Sequence, residues 1–327
     1  MMLLSKDAAR FPIAPVSSRR LDRALRRVLE VHFDPENGSP FWLDRERELG
    51  WRVLDRVRSA EDLDLLGFMD EAALRDRSAW DFVPRRFRSE RSGFVAGETG
   101  GTLGTPKRTL FHPEDFEAAF VRPFVEVARR RVAFPSGALW AFIGPTGPHI
   151  IGKAARAIAS AMGSPDPFTI DLDPRWFKSQ AAGSIGRARY LQHLLDQALT
   201  LFRREPIEVL FSTPPLVAAL GEKLPPGARL RVRAVHLGGL APSAEGARAM
   251  RERFPCAVFL GGYGNSLLGV CPQLDGDRLE RPRYYPHGDR LRLRVMPLGA
   301  DPAVWKGEQV PYGERSSRRP RRESPRP

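Results

Sequence analysis

The sequence predicts an α/β protein in which a parallel sheet, flanked by helices, follows a helical N-terminal segment. Three observations lead there. From residue 138 onward, short apolar runs alternate with amphipathic stretches in repeated strand–helix–strand order. Those runs are apolar at successive positions, as strands buried on both faces are. Residues 1–90, in contrast, carry helical periodicity.

The elements follow in chain order. Leu21, Ala24, Leu25, Val28 and Leu29 recur at helical spacing, as do Leu49, Val53, Leu54 and Val57. Between the two sets, Asp34-Pro35-Glu36-Asn37-Gly38-Ser39-Pro40 is a loop. Ser59-Ala60-Glu61-Asp62 has a helix N-cap signature, a serine followed by acids in the first turn. Phe41, Trp42, Trp51 and Phe68 read as core. Residues 93–111 predict a strand, a glycine-rich turn and a second strand, after which His112-Pro113-Glu114-Asp115 opens a helix to about Arg131. Strands are then expected at 139–144, 168–172, 207–212, 231–237 and 257–263. Helices are expected at 152–162, 186–203, 214–221 and 243–253. Residues 289–298 alternate as a half-exposed strand, the start of a small antiparallel C-terminal piece. The implied division is a helical segment over 1–90, an α/β core over 91–288, the small β piece over 289–314 and an Arg/Pro tail over 315–327.

Composition narrows the function. The chain of 327 residues is 42% hydrophobic and 28% charged, as ordinary globular proteins are. It has no run long enough to span a membrane and no secretion signal, so a cytoplasmic protein is expected. Two cysteines, Cys256 and Cys271, are too few for a disulfide framework or a zinc site, and no His/acid partner beside them suggests a nucleophile. The net charge is +13, but the tail RSSRRPRRESPRP, expected to be disordered, holds six arginines and one glutamate. The N-terminal arginines alternate with acids, as on a solvated helix face, and no basic stripe is interleaved with aromatics. Nucleic acid is therefore not the expected partner.

Three glycine-rich segments carry the candidate chemistry. In Thr99-Gly100-Gly101-Thr102-Leu103-Gly104-Thr105-Pro106-Lys107 the glycines let successive backbone N–H groups converge on an anion. The threonines add hydroxyls and Lys107 a positive charge; a plain hairpin turn is the alternative. Gly147-Pro148-His149-Ile150-Ile151-Gly152-Lys153 is the rival, fitting G-x-x-x-x-G-K between a strand and a helix. Its interior is bulky, and Ala154 stands where a Ser or Thr would hold magnesium. The third segment, Gly261-Gly262-Tyr263-Gly264-Asn265-Ser266, reads as a strand-end turn, and Gly238-Gly239-Leu240-Ala241-Pro242 ends the preceding strand in the same way. Ligands of parallel sheets bind beyond such ends, where Tyr263 offers a flat face and Ser266 a hydroxyl.

In the order and spacing of these segments, residues 40–314 resemble the adenylate-forming (ANL) superfamily, nearest to its phenylacetate–coenzyme A ligase branch. Thr99–Lys107 resembles the family's phosphate loop, Ser/Thr-Ser-Gly-Thr-Thr-Gly-x-Pro-Lys, with Gly100 replacing the second Ser and Leu103 a Thr. The stretch from Phe41 to Arg75 resembles its helical lead-in. Gly238-Gly239-Leu240-Ala241-Pro242 is similar to the segment that contacts adenine, and Tyr263-Gly264-Asn265-Ser266-Leu267 to the aromatic-Gly-x-Thr-Glu motif.

The resemblance implies the fold of the family's large domain and the ATP-dependent activation of an aryl or acyl acid to an acyl-adenylate. It implies phosphate contacts from Thr99, Gly100, Gly101, Thr102 and Gly104, and catalytic roles for Lys107 and Ser266. Adenine would meet Gly238, Gly239, Tyr263 and Gly264, ribose would meet Glu314, and His149 would line the acyl pocket. The other reading of His149 is a packed or solvent-facing side chain, and His236 reads as a core histidine. Relatives use Mg2+ and pass the acyl group to coenzyme A. Leu267 stands at the metal-binding Glu position and has no oxygen to offer; Asp275 is a nearby acid without an assigned role. Where relatives carry a C-terminal domain this chain has the Arg/Pro tail, so truncation or a frameshift, with thioester formation lost, is expected. A non-catalytic nucleotide-binding remnant and a P-loop NTPase using Lys153 are the competing functions.

Overall fold

Trp140-Ala141-Phe142-Ile143-Gly144 is buried at every residue, and the sheet grows outward from this run. A computed structural model describes residues 18–101, 104–130, 134–274, 278–284 and 290–291. Its strands are β1 (Val95–Glu98), β2 (Arg108–Phe111), β3 (Trp140–Gly144), β4 (Phe168–Asp171), β5 (Val209–Ser212), β6 (Ala234–Leu237), β7 (Val258–Asn265) and β8 (Gly269–Pro272). Among the described residues, β1 and β2 form an antiparallel hairpin, and the others form one six-stranded sheet in the order β4-β3-β5-β6-β7-β8. Only β7 and β8 pair antiparallel within that sheet.

Period-two alternation sends β3 side chains to two different cores. Trp140 and Phe142 face a layer with Phe120, Phe124 and the helix Ile150–Ala161. Ala141 and Ile143 face the helices Ile185–Arg204, Pro214–Lys223 and Ala244–Arg253. The chain leaves β3 toward one face and β5 toward the other. The carboxyl ends of β3 and β5 therefore form a topological switch point, where connections diverge and leave a crevice. A third cluster holds the N-terminal helices: Leu29, Phe33, Val53, Val57 and Leu66, with Trp42 and Trp51 packed on it. No helix among the described residues is long and apolar enough to cross a membrane.

Several expectations change at element boundaries. The spacing from Leu49 to Val57 is interrupted at Gly50, whose φ of 71° caps the helix Pro40–Leu49 before the short turn Val53–Arg56. Ser59 does form a capping box with Asp62, but it opens the 3-10 helix Ala60–Leu66. Phe68, expected in the core, is 62% exposed, because Gly67 turns the chain outward after that helix. Val28 is likewise exposed. The helix after His112 contains a π turn at Glu117–Val121. Its cause is Pro123, which has no N–H for the carbonyl four residues earlier, that of Ala119. Arg231, placed in a strand by its pattern, ends the helix Pro226–Arg231, which Pro226 starts. Residues 292–327 lie outside the described residues, and with them most of the expected 289–298 strand, the tail and Glu314.

Candidate functional site

The hairpin β1–β2 hangs over the carboxyl edge of the sheet. Glu98 N–H donates to Pro148 O at 3.0 Å, and Glu98 bridges His149 in parallel register. These contacts seat the hairpin on the turn that follows β3. Lys153 Nζ donates to Ala96 O at 2.5 Å, which ties β1 to the helix Ile150–Ala161. The Thr99–Lys107 turn is closed at its base by a reciprocal pair. Thr99 N–H donates to Lys107 O at 3.0 Å, and Lys107 N–H donates to Thr99 Oγ1, also at 3.0 Å. Within the turn, Gly101 and Gly104 adopt φ of 61° and 123°, which side-chain-bearing residues avoid. Thr102 and Leu103 lie outside the described residues, while Thr99 and Gly100 are half-buried. The Lys107 ammonium is paired with the Glu71 carboxylate from the N-terminal segment, and that contact pulls Glu71 below the usual carboxylate range.

Charged side chains crowd the base of this turn. Arg175, in the short helix Pro174–Ser179 after β4, donates through Nη2 to Glu98 Oε2 at 2.6 Å and to Thr99 O at 3.3 Å. Arg108 Nε donates to the other Glu98 oxygen at 3.2 Å. Hydrogen bonding from Arg175 is the largest influence holding Glu98 below its usual pKa. Asp171, at the end of β4, accepts from Thr146 N–H at 2.7 Å and from Thr146 Oγ1 at 2.5 Å, fixing the turn after β3. His149 is 8% exposed; burial, then the nearby Arg175 charge, lowers its pKa and leaves the imidazole neutral at neutral pH.

The rival loop is not an open cradle. A Cβ on Gly152 would lie 2.7 Å from Thr146 Cα, so backbone fills the space within that turn. Lys153 points to Ala96 O.

The second candidate cluster stands on the same carboxyl edge, at the ends of β6 and β7, with β5 between it and β3. The strand expected to end at Tyr263 runs on through Gly264 and Asn265, where a turn was expected: Gly262 pairs with Pro272, Tyr263 with Cys271 and Gly264 with Val270. The turn comes later, at Ser266–Leu268, where Asn265 Oδ1 accepts the N–H groups of Leu267 and Leu268, each at 2.9 Å. Glycine is required at 264 because a Cβ would come within 2.0 Å of Gly269 O. Tyr263 is 54% exposed and lies against the ring of Tyr284 at 5.5 Å. Gly238 and the exposed Gly239 follow β6, and a shallow cleft lined by Leu237, Leu240, Pro242, Gly262 and Tyr284 joins the ends of β6 and β7.

The structure thus places both clusters on one edge and brings Lys107, Thr99 and His149 into a shared neighbourhood. Tyr263, Ser266, Gly238 and Gly239 form a separate group at the ends of β6 and β7, beyond β5. A divalent cation does not fit the Leu267 turn. Leu267 has no oxygen, and Asn265 Oδ1 is engaged by two backbone donors. Among the described residues no group of three or more His, Cys, Asp or Glu could hold a metal ion.

His236 is a core residue: its ring sits between Phe124 and Phe211, and Nδ1–H donates to Leu260 O at 2.7 Å. Cys271 is buried and its thiol is pushed up to about 11, so it is no nucleophile; Cys256 is exposed. Glu71, Glu98 and Arg175 escaped the sequence reading. The available signal was position: Asp173-Pro174-Arg175 opens a helix immediately beyond an expected strand, where a parallel sheet presents its site.

No family model matches the chain, and no curated protein does. Solved structures do. The chain is similar to 2-hydroxyisobutyryl-CoA ligase crystallised in an open conformation with 2-HIB-AMP and CoA, at 17% identity and a TM-score of 0.50. The same ligase in its thioesterification state, again with 2-HIB-AMP and CoA, also gives 17% identity and a TM-score of 0.50. At this identity the likeness shows the fold. The matches cover 78% and 84% of this chain but only 52% and 62% of the ligase chains, so the chain spans little more than half of their length.

Proposed function

We propose that the chain binds ATP and activates a carboxylic acid as an acyl-adenylate, in the manner of the ANL superfamily and its phenylacetate–coenzyme A ligase branch. The observation that carries the proposal is the Gly/Thr-rich turn, closed at its base and seated beside the switch point of a sheet with a CoA-ligase fold. In the reaction an oxygen of the acid's carboxylate bonds to the α-phosphorus of ATP. The bond from that phosphorus to its bridging oxygen breaks, and pyrophosphate leaves with the electron pair. The chain's residues then have two tasks, holding the reactants in line and offsetting phosphate charge.

In this reading the N–H groups of Gly100, Gly101 and Gly104 and the hydroxyls of Thr99 and Thr102 take phosphate oxygens. Lys107 exchanges Glu71 for phosphate, at small cost because Glu71 is exposed. Tyr263 presents a face to the purine, Gly238, Gly239 and Gly264 let the base approach backbone, and Ser266 meets the α-phosphate. Neutral His149 lines the acid's site, Glu314 contacts ribose, and coenzyme A is the thiol acceptor of a later step. No step is routed through a metal.

Calorimetric titration with ATP, paired with pyrophosphate release over a panel of aryl and fatty acids, tests the proposal. Wild type and Lys153→Ala are expected to bind ATP alike, while Lys107→Ala weakens binding by about tenfold or more. The reverse pattern establishes the Lys153 loop instead. The Leu267 position favours a second reading, nucleotide binding without turnover; binding with no release from any acid supports it.

A further inference from the structure

We propose that Arg175 is the second cation of the nucleotide site, binding the triphosphate together with Lys107; this rests on reading Thr99–Lys107 as a phosphate loop. Arg175 already grips the first residue of that loop through Thr99 O and the residue before it through Glu98. Glu98 is shared by Arg175 and Arg108, so one carboxylate meets two guanidinium groups, with Asp171 and Asp173 among the charges nearby. By contrast, the Lys107–Glu71 pair is balanced. The charge of Arg175 is felt beyond Glu98: after burial it is the next cause of the lowered His149 pKa, opposed by Asp173, Asp171 and Glu98. Its Nε is buried and has no hydrogen-bond partner, a donor that a phosphate oxygen would satisfy. A guanidinium suits this task because it presents several donors in a fixed plane and stays charged at all working pH values.

The test titrates ATP and adenosine into the full chain of wild type, Arg175→Gln and Arg175→Lys, with thermal melting as a check on folding. Arg175→Gln is expected to lose about tenfold in ATP affinity and less than about twofold in adenosine affinity. Arg175→Lys, which keeps the charge but not the fork, is expected to recover part of that loss. If Arg175→Gln fails to fold, Arg175→Lys carries the test through an ATP loss of about threefold with adenosine unchanged. Equal losses for ATP and adenosine, or no loss for either, overturn the role of Arg175 while leaving the loop reading intact. Wild-type chain that binds no ATP overturns the loop reading and this role together.

Discussion

Lys107 and Lys153 each close a glycine-rich stretch, and the sequence alone ranks them only by the bulk of their neighbours. Their contacts separate them: Lys153 is spent on a backbone carbonyl, whereas Lys107 is held by an exposed carboxylate that another anion can replace. Histidines show the same dependence on surroundings. His236 could be read as core from its place in an apolar run, and its burial pushes the pKa down to about 4. The sign follows: below its ordinary pKa of 6.5 the unfolded chain takes a proton that the folded chain refuses, so folding weakens as pH falls from there toward 4. Urea unfolding is expected to show a loss of about 2 kcal/mol between neutrality and about pH 5, a loss that His236→Gln largely removes. For Arg175 the sequence offered only its place at a helix start beyond a strand; its partners Glu98 and Thr99 come from a distant hairpin and could not be read from it.

At the scale of elements, the parallel strands were legible because burial on both faces leaves continuous apolar runs, as in β3 and β5. At this edge the failure occurred where Gly264 was read as a turn. Gly264 has no side chain because β7 must accept the backbone of β8 at Gly269, and glycine and proline at the ends of β8 disguised that strand. Gly264→Ala would drive a methyl into Gly269 O and break that pairing. A destabilisation of about 2–3 kcal/mol is expected, read from the urea midpoint. A midpoint equal to wild type would mean that β7 and β8 do not pair as described.

For the whole molecule, the sequence carried the fold class and the positions of the glycine-rich segments. It could not reveal that they occupy one edge, which depends on strand order and hence on long-range pairing. If that edge is a nucleotide site, ATP binds the folded chain alone and raises its melting temperature. The expected gain is about 3 kcal/mol at a concentration near one hundred times Kd. Because the Leu267 turn offers a metal no ligand, EDTA is expected to change that gain by less than about a third; thermal melts with ATP, with and without EDTA, measure it.

The π turn at Glu117–Val121 has a consequence for this edge. One extra residue in a turn rotates everything beyond it by about 100° around the helix axis. Phe120, within the offset, meets Phe111 of β2 at 5.3 Å, while Phe124, after it, meets Trp140 of β3 at 6.1 Å. A single helix thereby serves two masters, propping up the hairpin with one half and sealing the sheet with the other. Pro123 is the pivot of that division of labour, and the aim of the Gly/Thr-rich turn is written in part by an imino acid that never approaches it.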